Sequence, residues 1–290
     1  NKCAERHNGA RIGEYMAVES VTEAAMNWGT VSGASIVGMV ISLLLSVGLP
    51  IFLGVFIYKK TRAWVPAFFI GCGIFVGFAM ILEQVCHAIV LTVTGSVIRD
   101  NLWLYAIYGG LAAALFEECG RWIAMKFCLK KHLTRENALM YGAGHGGIEA
   151  FLILGMSSMS NLLTAAMING GLMEKTMTAL EPAQQEVTYH QLSVLWTTPA
   201  YQFYLAPVER ISAIALQIAL SILVYSAVKT GRKLHLAAAF GLHFAVDFLT
   251  VVCASTIPTW ALELGLLLVV AVICVVVYQL VYVQMAEKKA

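Results

Sequence analysis

Seven apolar stretches recur along the chain, at about 31–57, 65–93, 102–126, 138–158, 207–228, 236–256 and 260–283. Each is close to the roughly 20 residues that a hydrocarbon core of about 30 Å asks of a helix. Lipid offers no hydrogen bonds, so stretches of this length satisfy their backbone groups internally, as helices. The prediction is an all-α, polytopic transmembrane helical bundle of about seven helices. The composition agrees, with 59% hydrophobic and only 12% charged residues in 290, too apolar for a soluble domain.

The lysines and arginines of the short connections set the orientation. Lys59, Lys60 and Arg62 follow the first span, and Lys126, Lys130, Lys131 and Arg135 the third. Lys229, Arg232 and Lys233 follow the fifth, and Lys288 and Lys289 end the chain. These segments are predicted to be cytosolic. The second connection has only Arg99, balanced by Asp100, and the sixth, near Pro258, has no basic residue, so both are predicted outside. The N-terminus is then out and the C-terminus in. Residues 1–28 lack the basic-then-apolar layout of a cleavable signal peptide and read as a polar outer tail. Residues 29–286 read as one transmembrane domain. Within it, 159–206 is the one long outer loop, and reads as a lid, a re-entrant piece or a plain connection.

The net charge of +2, from 19 basic and 17 acidic residues, provides no basic field of the kind nucleic acid requires, and excludes that partner. The seven cysteines, at 3, 72, 86, 119, 128, 253 and 274, form no CxxC pair, which argues against a disulfide framework or a cysteine zinc site.

Charges inside the spans are the informative exceptions. The third stretch holds Glu117, Glu118 and Arg121, the fourth His145 and Glu149, and the sixth His243 and Asp247. Counted at about 1.5 Å per residue, most of them fall in one layer roughly 10 to 16 Å from the cytosolic boundary. Glu117 with Arg121, His145 with Glu149, and His243 with Asp247 are i, i+4 pairs, each on one face of its helix. A charge at a helix centre costs about 2.5 to 3.5 kcal/mol on insertion scales, so these groups are predicted to face one another around a wet cavity. Gly142, Gly144, Gly146 and Gly147 flank His145 and let a neighbouring helix or a substrate backbone come close. Glu209 and Arg210 read as interface anchors, and Glu83, His87 and Glu263 as structural.

Carboxylates and histidines in a low-dielectric pocket suit hydrolysis, with a carboxylate taking a proton from water and other groups stabilising the oxyanion. Two histidines and a carboxylate can equally hold zinc with a position open for water. Both mechanisms are compatible with these residues. A proton-coupled transporter and a catalytically silent membrane scaffold are the rival functions. The single layer and the missing internal repeat argue against the transporter.

The order FEECGR, GHGGIEA, HFAVD resembles the YhfC-type family of intramembrane metalloproteases, which looks related to the type II CAAX prenyl proteases and the PrsW-like proteases. The resemblance covers roughly residues 30 to 285. It implies an integral protein of the bacterial plasma membrane that cleaves a membrane protein or lipid-anchored peptide near the cytosolic face. It implies Glu117 as the base that activates water, assisted by His145. Glu118 and Arg121 would organise the site, and His243 with Asp247 would bind the oxyanion or orient the substrate. Zinc held by His145, His243 and Glu117 is the implied cofactor. Two positions depart from the CAAX pattern, because Arg121 follows Glu117 by four residues rather than five and Asp247 stands for asparagine. A histidine is common in the resembling group where this chain has Gln217.

Overall fold

The computed structural model describes residues 27–287; the predicted tail up to 26 and Lys288 and Lys289 lie outside the described residues. Among the described residues the secondary structure is helical, with no strand. We number the longer helices α1 (Gly33–Thr61), α2 (Pro66–Thr94), α3 (Leu102–Ile123), α4 (Arg135–Asn169), α5 (Leu172–Met177), α6 (Pro182–Thr197), α7 (Ala200–Thr230), α8 (Lys233–Ala254) and α9 (Thr259–Tyr282). Six of them, α1, α2, α4, α7, α8 and α9, are long and apolar enough to cross a membrane. Helix α3 has 22 residues, enough for about 33 Å, and carries Glu117, Glu118 and Arg121. The chain is a multi-pass integral membrane protein built as an all-α bundle.

Local chemistry places the helix starts. The Asn101 side chain accepts from the Leu104 N–H at 3.1 Å to cap α3, and Thr134 does the same for Asn137 at 3.2 Å on α4. Prolines open α2 and α6, where the missing N–H costs nothing. π-Helical stretches interrupt α2 at Val76–Glu83 and α4 at Phe151–Gly155, extend α3 at Ala124–Cys128 and end α9 at Tyr278–Tyr282. The first three adjoin the charged residues in sequence, and such turns are often found at functional sites.

The chain packs as two units. One comprises the described residues up to Met39 with Met159–Tyr201, the other Val40–Ser158 with the residues from Gln202 onward. In the first, the stretch 159–206 that the sequence presents as a loop is mostly helix: the end of α4, then α5, α6 and the start of α7. Of these, α5 is too short and α6 too polar to read as a span. Gly171, at φ +68°, turns the chain between α4 and α5. Asn169 holds Val31 by two bonds, accepting from its N–H at 2.8 Å and donating to its carbonyl at 3.0 Å. Trp28 meets Trp196 and Tyr189 with ring centroids 5.7 and 5.5 Å apart.

In the second unit α2 packs on α4 and α3 on α8. Helix α7 is the innermost: 72% of its apolar window is buried, against 17–22% for the other five candidate spans. The distribution of polarity is inverted relative to a protein in water. Arg121 is fully buried while Leu268 is 68% exposed and Phe69 66%. An exterior of that kind is the surface a hydrocarbon solvent accepts.

Candidate functional site

His145 is placed by its glycine neighbours. A Cβ on Gly144 would collide with the backbone of Phe68 on α2, and one on Gly142 would come within 2.7 Å of the Ile218 Cα on α7. On Gly146 it would stand 3.0 Å from the Ile214 Cα. Both neighbours are helices, so His145 is clamped between α2 and α7 with no exposed surface. Phe75 meets its ring edge-on at 5.2 Å, and the Tyr141 hydroxyl lies 3.5 Å from Nδ1. That leaves Nε2 to point at α3, where it is 2.9 Å from Glu117 Oε2.

From Glu117 the bonds run through every charged residue of the predicted layer. Gln217 Nε2 donates to Glu117 Oε2 at 2.9 Å and to Glu149 Oε2 at 2.8 Å. Its Oε1 accepts from Arg121 Nη2, which fixes the orientation of the amide. Arg121 Nη1 lies 3.2 Å from Glu118 Oε1, and the same oxygen is 2.8 Å from His243 Nδ1. His243 Nε2 is 3.5 Å from Asp247 Oδ2 and 3.9 Å from Glu117 Oε2. Glu149 is paired a second time, by Arg210 Nη1 at 3.1 Å, and Arg210 also holds its neighbour Glu209. Glu118 Oε2 and Arg121 Nε are buried without a hydrogen-bond partner among the described residues, so the network is not saturated.

The seven predicted residues are therefore brought together, but mostly across helices rather than along them. Of the three i, i+4 pairs only His243 and Asp247 touch; Arg121 turns to Glu118, and Glu149 to Gln217 and Arg210. A buried charge needs a partner with good geometry and every donor used, and a facing helix offers more of these than the next turn of its own.

A cavity of about 390 Å³ opens on this network, with Glu117, Glu149, Gln217, His243 and Asp247 in its wall. It continues to Tyr108, His87 and Leu91. His87 is itself tied to Tyr108 at 2.8 Å and to Glu83 at 3.2 Å. Arg210, Glu209 and His87 thus belong to the cavity wall, and Gln217 to the centre of the network. Two signals in the sequence point that way: Arg210 lies seven residues, about two turns, before Gln217, and Glu83 with His87 is a third i, i+4 acid–histidine pair.

The donor chemistry suits a cation. Both imidazoles turn Nε2 toward one carboxylate oxygen, and the His243 Nδ1–H is taken up by Glu118, as the outer nitrogen of a metal-binding histidine usually is. Two imidazole nitrogens and a carboxylate oxygen form a set that zinc takes. Among the described residues no three His, Cys, Asp or Glu side chains are already spaced around one point as ligands.

A family model described as "YhfC intramembrane metalloprotease" matches residues 45–275. The chain is 42% identical over 222 residues to the "Uncharacterized membrane protein YhfC" of Bacillus subtilis (strain 168), covering 73% of this chain and 83% of that protein. No solved structure matches.

Proposed function

The chain belongs to the YhfC intramembrane metalloprotease family, and from that premise we propose that it hydrolyses peptide bonds of a membrane protein or lipid-anchored peptide. The observation that carries the reading is the convergence of His145 Nε2 and His243 Nε2, from α4 and α8, on Glu117 Oε2 of α3, in the wall of a 390 Å³ cavity. His145, His243 and Glu117 are the residues that would hold zinc. When bound there, the ion would lower the pKa of a water and polarise the scissile carbonyl.

The chain's own groups have separable tasks. His145 and Gln217 both bond Glu117 through Oε2, which leaves Oε1 to take the proton of an attacking water. As the water oxygen adds to the carbonyl carbon, that proton moves to Glu117 and is then delivered to the departing amine. Glu118, neutralised by Arg121, fixes His243 through Nδ1, so that Nε2 and the Asp247 carboxylate face the cavity. With no ion bound, His243 Nε2 is free to hold the substrate carbonyl; as a zinc ligand it is committed to the ion. Arg121 also holds the Gln217 amide, whose N–H group keeps the Glu117 and Glu149 carboxylates bridged.

The charged layer lies nearer the helix ends predicted to be cytosolic, whereas the cavity extends past Tyr108 toward His87 and Leu91, near the ends predicted to face outside. We therefore propose that substrate and water approach from the outer half of the bilayer of a bacterial plasma membrane and are cleaved deep within it.

Metal content of the detergent-purified protein is the test. About one zinc per chain is expected in the parent and near none in a folded His145→Ala/His243→Ala variant. Metal absent from both proteins, with the parent reconstituted in excess zinc, would overturn the metal reading and leave a glutamate–histidine hydrolase or a silent scaffold. Turnover of membrane peptides by Glu117→Gln would then separate those two.

A further inference from the structure

A second polar site lies at the opposite end of the helices from the cavity's outer extension. Three segments meet there: residues 60–64 at the end of α1 and just beyond it, residues 132–137 at and before the start of α4, and Tyr282 at the end of α9. Together they enclose about 520 Å³. The lining carries Lys60, Arg62 and Arg135 against one carboxylate, Glu136, which Arg135 Nε already engages at 2.8 Å. The balance is positive, and Lys60 and Arg62 are exposed.

The site is held in shape without a ligand. Trp64 stacks on His132 with centroids 4.1 Å apart. The Trp64 N–H donates to Asn137 Oδ1 at 2.7 Å, and Asn137 Nδ2 donates to the His132 carbonyl at 2.6 Å, so the two connections are pinned to each other. Arg135 Nη1 donates to the Tyr282 carbonyl at 3.1 Å, and its guanidinium lies 4.5 Å from the Tyr282 ring. Arg62 is the one residue other than glycine with positive φ among the described residues, at +57°. It closes α1 with its N–H on the Tyr58 carbonyl at 2.8 Å, a place where glycine is usual.

Tyr282 has a second role that identifies the ligand class. It also lines an apolar groove of about 480 Å³ between α4, α7 and α9, with Leu139, Ile218, Ile222, Val277 and Tyr278. A cationic cavity sharing a wall with a hydrocarbon-sized groove matches a molecule that is a phosphate at one end and an acyl chain at the other. We propose that this is a binding site for an anionic phospholipid, its phosphate among Lys60, Arg62 and Arg135 and one chain in the α4/α7/α9 groove. Arginine suits the phosphate because its planar fork pairs two oxygens at once. All the basic residues belong to segments predicted to be cytosolic, so the site draws on the leaflet whose lipid charge favours it.

Native mass spectrometry of the full chain, titrated with phosphatidylglycerol or phosphatidylcholine of the same chains, tests this. Phosphatidylglycerol is expected to bind on the order of tenfold more tightly, and Lys60→Gln/Arg62→Gln to bring the two lipids close to parity. Arg62→Gly removes the charge while fitting the backbone better, so it separates lost binding from lost folding. Thermal unfolding without lipid reports the fold of each variant. Equal binding of the two lipids by the parent, or a preference unchanged in folded variants, would overturn the proposal. Displacement of phosphatidylglycerol by an equal concentration of glycerol 3-phosphate would overturn it too, because the site would then bind the phosphate without the chain.

Discussion

Gln217 shows what a single residue does in this site. Its amide donates to Glu117 and Glu149 and accepts from Arg121, so one neutral side chain bridges two carboxylates and a guanidinium. Gln217→Leu removes that partner from all three, although His145, Arg210 and Glu118 still pair them, and a hydrogen-bond partner lost in a buried site costs about 1 to 3 kcal/mol. Thermal unfolding in detergent is expected to fall accordingly, and a variant as stable as the parent would show the bridge to be inconsequential. Gln217→His acts in the opposite sense on metal. It puts a third imidazole beside Glu117, and imidazole is a zinc ligand where an amide is a poor one. Dialysis against a chelator at neutral pH is expected to leave more zinc on this variant than on the parent; equal retention would detach position 217 from the metal set. Glu117, Glu118, Arg121, His145, Glu149, His243 and Asp247 were legible in the sequence because a charge in an apolar run is too costly to be incidental. The central place of Gln217 was not, since a neutral amide in a long apolar helix carries no such penalty and names no partner. Arg210 was obscured by Glu209 beside it, which balances its charge locally and hides the ion pair to Glu149.

Elements position these residues through backbone contact. Helices α2 and α4 approach so closely at Gly144 and Gly71 that a Cβ on the first would overlap the Phe68 backbone and one on the second the Tyr141 carbonyl. Backbone cannot yield as a flexible side chain does, so Gly144→Val forces the helices apart and moves His145 with them. Overpacking of this kind costs about 1 to 3 kcal/mol or more. Gly73→Ala is the control: it lies on the same helix as Gly71, and nothing stands within 4 Å of its added Cβ. The expectation is a lower unfolding temperature and lost zinc for Gly144→Val, with Gly73→Ala close to the parent; equal behaviour of the two would refute the close-packing argument. The glycine run around His145 announced this approach in the sequence, but not which helices make it. The π-helical turns were illegible for a different reason. An extra residue in a turn rotates everything after it by about 100° relative to a regular helix, so a regular 3.6-residue count along α2 does not hold beyond Val76–Glu83. His87, which follows that turn, lines the cavity, and Glu83 at the end of the turn holds it at 3.2 Å.

At the scale of the whole molecule, function depends on which way the helices run, because the cavity and the basic lipid site occupy opposite helix ends. The hydropathy pattern was enough for a polytopic bundle, since length and apolarity leave a segment few alternatives in lipid. The stretch 159–206 escaped it because α5 has six residues and α6, although helical over sixteen, is too polar to signal a span. The direction of α3 is the hinge of the topology: six helices satisfy the length and apolarity of a span without it, while the charge of the connections requires it to cross. If α3 crosses, Asp100 and Lys130 lie on opposite sides; if it does not, they lie on the same side. In a cysteine-free background, Asp100→Cys and Lys130→Cys in intact cells distinguish these with a membrane-impermeant maleimide. The expected outcome is labelling of Asp100→Cys in intact cells and of Lys130→Cys only after the membrane is opened. That result places the phosphate site at the cytosolic leaflet and the outer extension of the cavity across the membrane from it. Labelling of both positions in intact cells would remove α3 as a span and, with it, the predicted depth of Glu117 beneath the cytosolic surface.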